Sequence, residues 1–120
     1  MAVDTLTPVS LSRNAGVDGK AATVMTAINA ANTMEIDVSA IDVEKLILHV
    51  KNTEGSTNVV TVAAGDFSRA SLGDLAVTVA ATSGEQLIHL ESARFKKSDG
   101  TISLSFEASM TGLVGAYLLP

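Results

Sequence analysis

The residues best suited to acid-base or metal chemistry are the two histidines of the sequence, His49 and His89. An imidazole can exchange a proton near neutral pH, and it is a common metal ligand. Each histidine lies inside an alternating segment, and Glu91 follows His89 on the same predicted strand face. Two histidines and one carboxylate do not have the spacing of a known metal-ligand motif. We therefore interpret both as surface or interface residues, with a weak metal or acid-base site as the alternative.

Four carboxylates lie close together in the sequence, at Glu35, Asp37, Asp42 and Glu44. Calcium favours clustered oxygen ligands, and an EF-hand supplies them from an Asp-x-Asp-x-Asp-Gly loop, which is absent here. Because apolar residues alternate with the acids, Glu35 and Asp37 are expected along one solvated strand face. The pattern favours a solvated strand edge over a calcium site.

Motifs for nucleophilic catalysis and phosphate binding are also absent. There is no Gly-x-Ser-x-Gly elbow, no phosphate-loop lysine and no cysteine. The glycine-containing segment 65–74 is interpreted as a surface loop pinned by Phe67 or Leu72. The sequence therefore predicts a protein that is not an enzyme, with no catalytic, cofactor-binding or metal site.

A cluster of positive charge stands beside the Asp99-Gly100 pair. It consists of Arg94, Lys96 and Lys97, three of the eight basic residues, and we call it the basic tip. Such a tip could contact an acidic partner surface. Alternatively, its charges protect a strand end from edge-to-edge aggregation.

Length and composition indicate one domain of 120 residues with an aliphatic core, since hydrophobic residues are 47% of the chain and aromatic residues 3%. The net charge of −5 opposes nonspecific binding to nucleic acid or an anionic membrane. No signal-peptide pattern and no run of 18 apolar residues occurs, so we expect neither classical export nor a membrane span. A mean hydropathy of +0.35 suggests apolar surface buried between subunits.

Period-two alternation is the dominant structural signal. In 45–51, Leu46, Leu48 and Val50 share one face, and an Asn52–Thr57 turn predicts a hairpin with 58–63. The Asp99-Gly100 pair predicts a second hairpin, which leads into the core residues Ile102, Leu104 and Phe106. Further strands are predicted at 34–38, 75–81, 86–91 and 113–119, and at 23–28, where a helix over 23–31 is the alternative. The predicted fold is all-β: an antiparallel β-sandwich, jelly-roll-like, of seven to nine short strands.

Residues 1–22 have turn residues and no sustained period, which predicts an extended N-terminal arm before a single β-sandwich domain at 23–120. The arm either packs as an edge strand on its own domain or docks on a neighbouring subunit. With the basic tip, its apolar residues are the predicted partner contacts. The complete set is Val3, Leu6, Val9, Leu11, Arg94, Lys96 and Lys97.

Several segments between residues 45 and 120 are similar to those of a known class of proteins. They are 45–53 (Lys-Leu-Ile-Leu-His-Val-Lys-Asn-Thr), 62–66 (Val-Ala-Ala-Gly-Asp), 72–75 (Leu-Gly-Asp-Leu), 90–95 (Leu-Glu-Ser-Ala-Arg-Phe), 110–112 (Met-Thr-Gly) and the terminal Leu119-Pro120. The combination resembles small structural proteins from tailed-bacteriophage and prophage morphogenesis regions, specifically head decoration or cement proteins. The first 44 residues match only loosely.

The resemblance implies a virion structural protein that forms a homo-oligomer, favouring a trimer, and binds the major capsid protein lattice. It would be assembled in the host bacterial cytoplasm and reside on the phage head, reinforcing the shell without a cofactor. A tail or fibre component is a close alternative. A carbohydrate-binding β-sandwich module is another, although the chain has few aromatic residues for sugar stacking.

Overall fold

The computed structural model describes residues 2–120, most of which lie in short strands or in the turns between them. The ten strands of this part are β1 (Val3–Thr5), β2 (Val9–Ser10), β3 (Thr26–Ala27), β4 (Thr33–Asp37), β5 (Leu46–Asn52), β6 (Asn58–Val62), β7 (Leu75–Val79), β8 (Glu85–His89), β9 (Thr101–Phe106) and β10 (Gly112–Leu118). Two four-residue helices, α1 (Ala21–Val24) and α2 (Ser92–Phe95), and two short 3-10 helices, Val43–Lys45 and Ala70–Leu72, complete the elements. The predicted β-rich class is confirmed. Eight of the ten strands, β3 to β10, lie in residues 23–120, within the predicted range of seven to nine, and β1 and β2 belong to the N-terminal segment.

The strands form two mixed sheets. The first sheet has the order β1-β4-β9-β6-β7, and the second has the order β2-β10-β5-β8, with β3 also paired to β10. Two pairs are parallel, β1 with β4 and β2 with β10, so the expectation of a purely antiparallel structure was wrong. Both exceptions come from the N-terminal segment, which reaches each sheet through long connections and not through a hairpin.

The predicted faces of the long strands are confirmed. Leu46, Leu48 and Val50 of β5 are fully buried, as are Ile102 and Leu104 of β9. These side chains lie together because successive residues of a strand point to opposite faces. They belong to one hydrophobic cluster, mostly aliphatic, which takes residues from both sheets.

The hairpin predicted across residues 52–57 was wrong, because β5 and β6 belong to different sheets. The connection crosses from one sheet to the other and is held by buried amides. Asn52 Nδ2 donates to the Ser56 carbonyl oxygen at 2.9 Å, and Asn58 Nδ2 donates to Glu54 Oε1 at 2.7 Å. The polar residues thus form a turn, as predicted, but this turn connects two sheets and does not form a hairpin.

The Asp99-Gly100 pair also forms a turn without forming the predicted hairpin. Gly100 has a φ of +85°, and the Thr101 hydroxyl donates to Asp99 Oδ1 at 2.7 Å. The segment before the turn is α2, and the partners of β9 are β4 and β6. The predicted strand at 23–28 is likewise only partly right, since α1 occupies its beginning and only β3 is extended.

Candidate functional site

The N-terminal segment packs on its own domain. β1 lies parallel to β4 at one edge of the first sheet, and β2 lies beside β10 at one edge of the second. Between them, Leu6 is only 1% exposed, and its N–H donates to the Glu35 carbonyl oxygen at 2.9 Å. Leu6 is therefore a core residue in this structure and not an available surface contact. Of the other predicted contacts in the arm, Val3 is exposed, whereas Val9 and Leu11 are half-buried.

In the basic tip, two of the three cations are bound within the chain. Arg94 donates from Nε to the Gly73 carbonyl oxygen at 3.0 Å and from Nη2 to the Asp74 carbonyl oxygen at 3.1 Å. Lys97 Nζ forms an ion pair with Glu35 Oε2 at 2.9 Å. This hydrogen bond raises the pKa of Lys97 above its ordinary value. Lys96 is the one cation of the tip without a hydrogen bond or ion pair from its side chain among residues 2–120.

The loop at 65–74 is attached to α2 through backbone hydrogen bonds. The N–H groups of Gly65, Asp66 and Arg69 donate to carbonyl oxygens of residues 93–96 over 2.8 to 3.1 Å. A Cβ atom on Gly65 would lie 2.1 Å from the Lys96 carbonyl oxygen, so only glycine permits this approach. The prediction that Phe67 or Leu72 pins the loop was wrong, because both side chains are about half exposed.

The two histidines lie on adjacent strands and on the same outward face of the second sheet. His49 of β5 stands opposite Leu87, and His89 of β8 stands opposite Ile47. Each imidazole has its own partner: His49 Nε2 lies 2.7 Å from Glu85 Oε1, and His89 Nε2 lies 2.5 Å from the Glu44 carbonyl oxygen. They do not converge on a common point.

Glu91, the carboxylate of the alternative histidine site, pairs instead with Arg69 Nε at 2.6 Å. The four carboxylates of 35–44 are also separated. Asp37 accepts the Ser39 hydroxyl at 2.7 Å, which lowers its pKa, and Asp42 accepts the Glu44 N–H at 3.1 Å. Within residues 2–120 no group of three histidine, aspartate or glutamate side chains is placed to hold a metal ion.

A surface that the sequence reasoning did not single out is the outward side of the second sheet near its β8 end. We call it the outer face, defined by Ile47, His49, Leu87, His89 and Leu119. It includes an open groove of about 350 Å³, whose lining is mainly apolar. Leu87 is 70% exposed, more than any other large hydrophobic side chain described. The alternation of 86–91 places Leu87 on the same face as His89, which we interpret as a surface or interface residue, but it does not show that this face carries an apolar groove.

Comparisons of the chain with protein-family models, with curated proteins and with solved structures find no match. In the described part of the chain, no helix has the length and apolar character needed to cross a membrane.

Proposed function

We propose that the chain is a non-enzymatic structural protein of a tailed-phage particle, a decoration or cement protein that self-associates and stabilises the head shell. The proposal starts from the resemblance of residues 45–120 to such proteins. The structural observation that carries it is the apolar outer face. A protein that acts by binding another protein needs exposed apolar surface that becomes buried in the interface. It has less need of polar groups that converge on one point.

The outer face is suited to contact with another protein. Leu87 and Leu119 are 70% and 41% exposed, and half-buried Ile47 lines the same groove from β5. Burying apolar surface contributes about 25 cal/mol per Å², so a few such side chains at the centre of an interface supply useful affinity. The polar groups at its border, Glu85 and His89, match the usual arrangement of an apolar centre with a polar rim.

We also propose that the two sheets form a sandwich of the jelly-roll type. One cluster of buried residues draws on both sheets, as in a face-to-face packing. The chain changes sheet at five of its connections from β4 to β10, and stays in one sheet only from β6 to β7. Jelly rolls recur in viral capsid proteins, so this architecture agrees with a structural role.

The proposed action is a binding equilibrium. A protein that binds the assembled shell, and not its separated subunits, stabilises the shell by mass action. The partners would be further copies of this chain, as a trimer in the resembled proteins, and the major capsid protein lattice. Assembly in the host cytoplasm and final residence on the phage head follow from the same proposal.

The direct test is co-sedimentation with purified capsids of the phage or prophage that encodes the chain. Leu119→Asp places a charge on the outer face and should weaken capsid binding about tenfold. Val17→Asp is the matched control, since Val17 is 40% exposed and lies outside the groove; its binding should equal that of the wild type. Absence of wild-type binding, or equal loss in both variants, would overturn the assignment.

A further inference from the structure

β8 is the last strand of the second sheet and is paired on one side only. Its partner is β5, and no strand of the described chain lies on its other side. Four of its five residues are exposed. An open strand of this kind presents unpaired backbone donors and acceptors.

The register shows which backbone groups are open. The Asn52 N–H donates to the Gly84 carbonyl oxygen at 2.9 Å, just before β8 begins. Because hydrogen-bonded and non-hydrogen-bonded pairs alternate along an antiparallel ladder, Gln86 and Ile88 bond to β5. The N–H and carbonyl groups of Glu85, Leu87 and His89 therefore point away from the sheet.

We propose that β8 pairs antiparallel with β8 of a second copy of this chain, about a two-fold axis that passes beside Leu87. This inference deepens the proposed function, because it identifies the surface through which the chain self-associates, as a two-fold dimer in place of the trimer that the resemblance implies. Leu87 would then stand opposite the partner subunit's Leu87 as a hydrogen-bonded pair. The two most exposed apolar side chains would cover each other on the outer face.

Charge selects this register over those with the axis at Glu85 or at His89. With Leu87 at the axis, Glu85 faces the partner subunit's His89, and the same contact occurs twice by symmetry. An axis at Glu85 would oppose two carboxylates, which is unfavourable across strands, and an axis at His89 would oppose the two histidines and forgo their contact with Glu85. Glu85 Oε2 and His89 Nδ1 have no partner within residues 2–120, since Glu85 Oε1 and His89 Nε2 are the bonded atoms.

Another edge strand, β7 of the first sheet, is a weaker candidate. The Ala63 N–H donates to the Ser103 carbonyl oxygen, so the outward residues of β7 are Ala76 and Thr78. Both are exposed, but they are small or polar and would bury little apolar surface. Thr78 therefore supplies a matched control for Leu87, at the same kind of site on the opposite sheet.

The first experiment measures molar mass in solution by light scattering across a concentration series. The wild type should reach twice the chain mass of 12.3 kDa. Leu87→Lys, which introduces a residue that natural edge strands use against pairing, should raise the dimer dissociation constant at least about tenfold. Thr78→Lys should leave the constant unchanged.

The second experiment uses the absence of cysteine from the chain, which makes a single introduced thiol a clean reporter. Hydrogen-bonded antiparallel pairs have Cα atoms about 5.5 Å apart, within the range of a disulfide. Leu87→Cys should give a covalent dimer on mild oxidation at low protein concentration, whereas Thr78→Cys should remain reduced. This readout does not depend on whether Leu87→Lys folds.

The outcomes separate this inference from the proposed function. A wild-type trimer or monomer that still binds capsids overturns strand pairing and retains the capsid role. A Leu87-dependent dimer that does not bind capsids supports strand pairing and overturns the capsid role. Equal cross-linking of Leu87→Cys and Thr78→Cys also overturns the proposed register.

Discussion

The basic tip and the β8 edge are two exposed regions with opposite character. The tip has the most conspicuous local charge in the sequence, yet Arg94 and Lys97 donate to groups of their own chain. The β8 edge has an ordinary sequence, yet its outward backbone groups and Leu87 have no partner in the described chain. Unused hydrogen-bonding groups and exposed apolar area therefore indicate a contact surface here better than charge does.

The difference results from where each region lies in the fold. The basic tip lies between the loop at 65–74 and β4. Arg94 donates hydrogen bonds to the loop, and Lys97 forms an ion pair with Glu35 of β4. β8 lies at the end of a sheet, where no later strand covers it. Substitutions in the two regions should therefore differ in kind: those around the tip should change the stability of the chain, and those at the edge should not.

The largest expected effect is that of Gly65→Ala in the loop that α2 holds. The new Cβ atom would lie 2.1 Å from a backbone oxygen, so the loop and α2 must separate. We expect the free energy of unfolding to fall by about 2–3 kcal/mol, measured by urea denaturation. Gly55→Ala is the control, because its Cβ atom meets nothing within 4 Å. Equal stabilities for the two variants would contradict the proposed attachment.

Arg94→Ala should come next. It removes two charge-assisted hydrogen bonds to carbonyl oxygens, and we expect a loss of about 1.5 kcal/mol. Lys96→Ala, on the same segment and without an ion pair in residues 2–120, should change stability by less than about 0.5 kcal/mol. If Lys96→Ala were the more damaging change, the structural role assigned to Arg94 would be wrong.

Lys97→Met should cost about 0.5–1 kcal/mol near neutral pH, because the ion pair with Glu35 is partly exposed. The pKa of Lys97 is raised in the folded state, so its contribution is complete below the ordinary value of 10.5 and is lost as the pH rises through the raised value. The stability difference between wild type and variant should therefore be constant up to about pH 10 and shrink above it. Denaturation at several pH values measures this, and a difference that grows at alkaline pH would refute the ion pair.

Leu87→Ser should have the smallest effect on the stability of the isolated chain. Its side chain is 70% exposed, so we expect a change within about 0.5 kcal/mol at concentrations where the protein is monomeric. Circular dichroism melts at low concentration measure this change. A loss comparable to that of Arg94→Ala would show that Leu87 packs within its own chain and is not free for a partner.

Much of the core could be predicted from the sequence, because burial in a strand depends on a local, two-residue period. The faces of β5 and β9 come directly from that period, as does the aliphatic composition of the core. Turn residues were also located correctly at 52–57 and 99–100. The pairing of strands could not be predicted in the same way, since an Asp-Gly turn has the same local chemistry after a helix as within a hairpin.

The candidate surfaces show more clearly which properties are local to the sequence and which depend on the tertiary structure. The sequence by itself determined that Leu87 and Ile88 face opposite ways, that charge gathers at Arg94, Lys96 and Lys97, and that no recognised catalytic motif is present. Only the tertiary structure decided that the charges of Arg94 and Lys97 are used internally, that Leu6 fills the core, and that β8 ends its sheet. The physical reason is that side-chain direction is local, whereas availability depends on which distant segments cover a group.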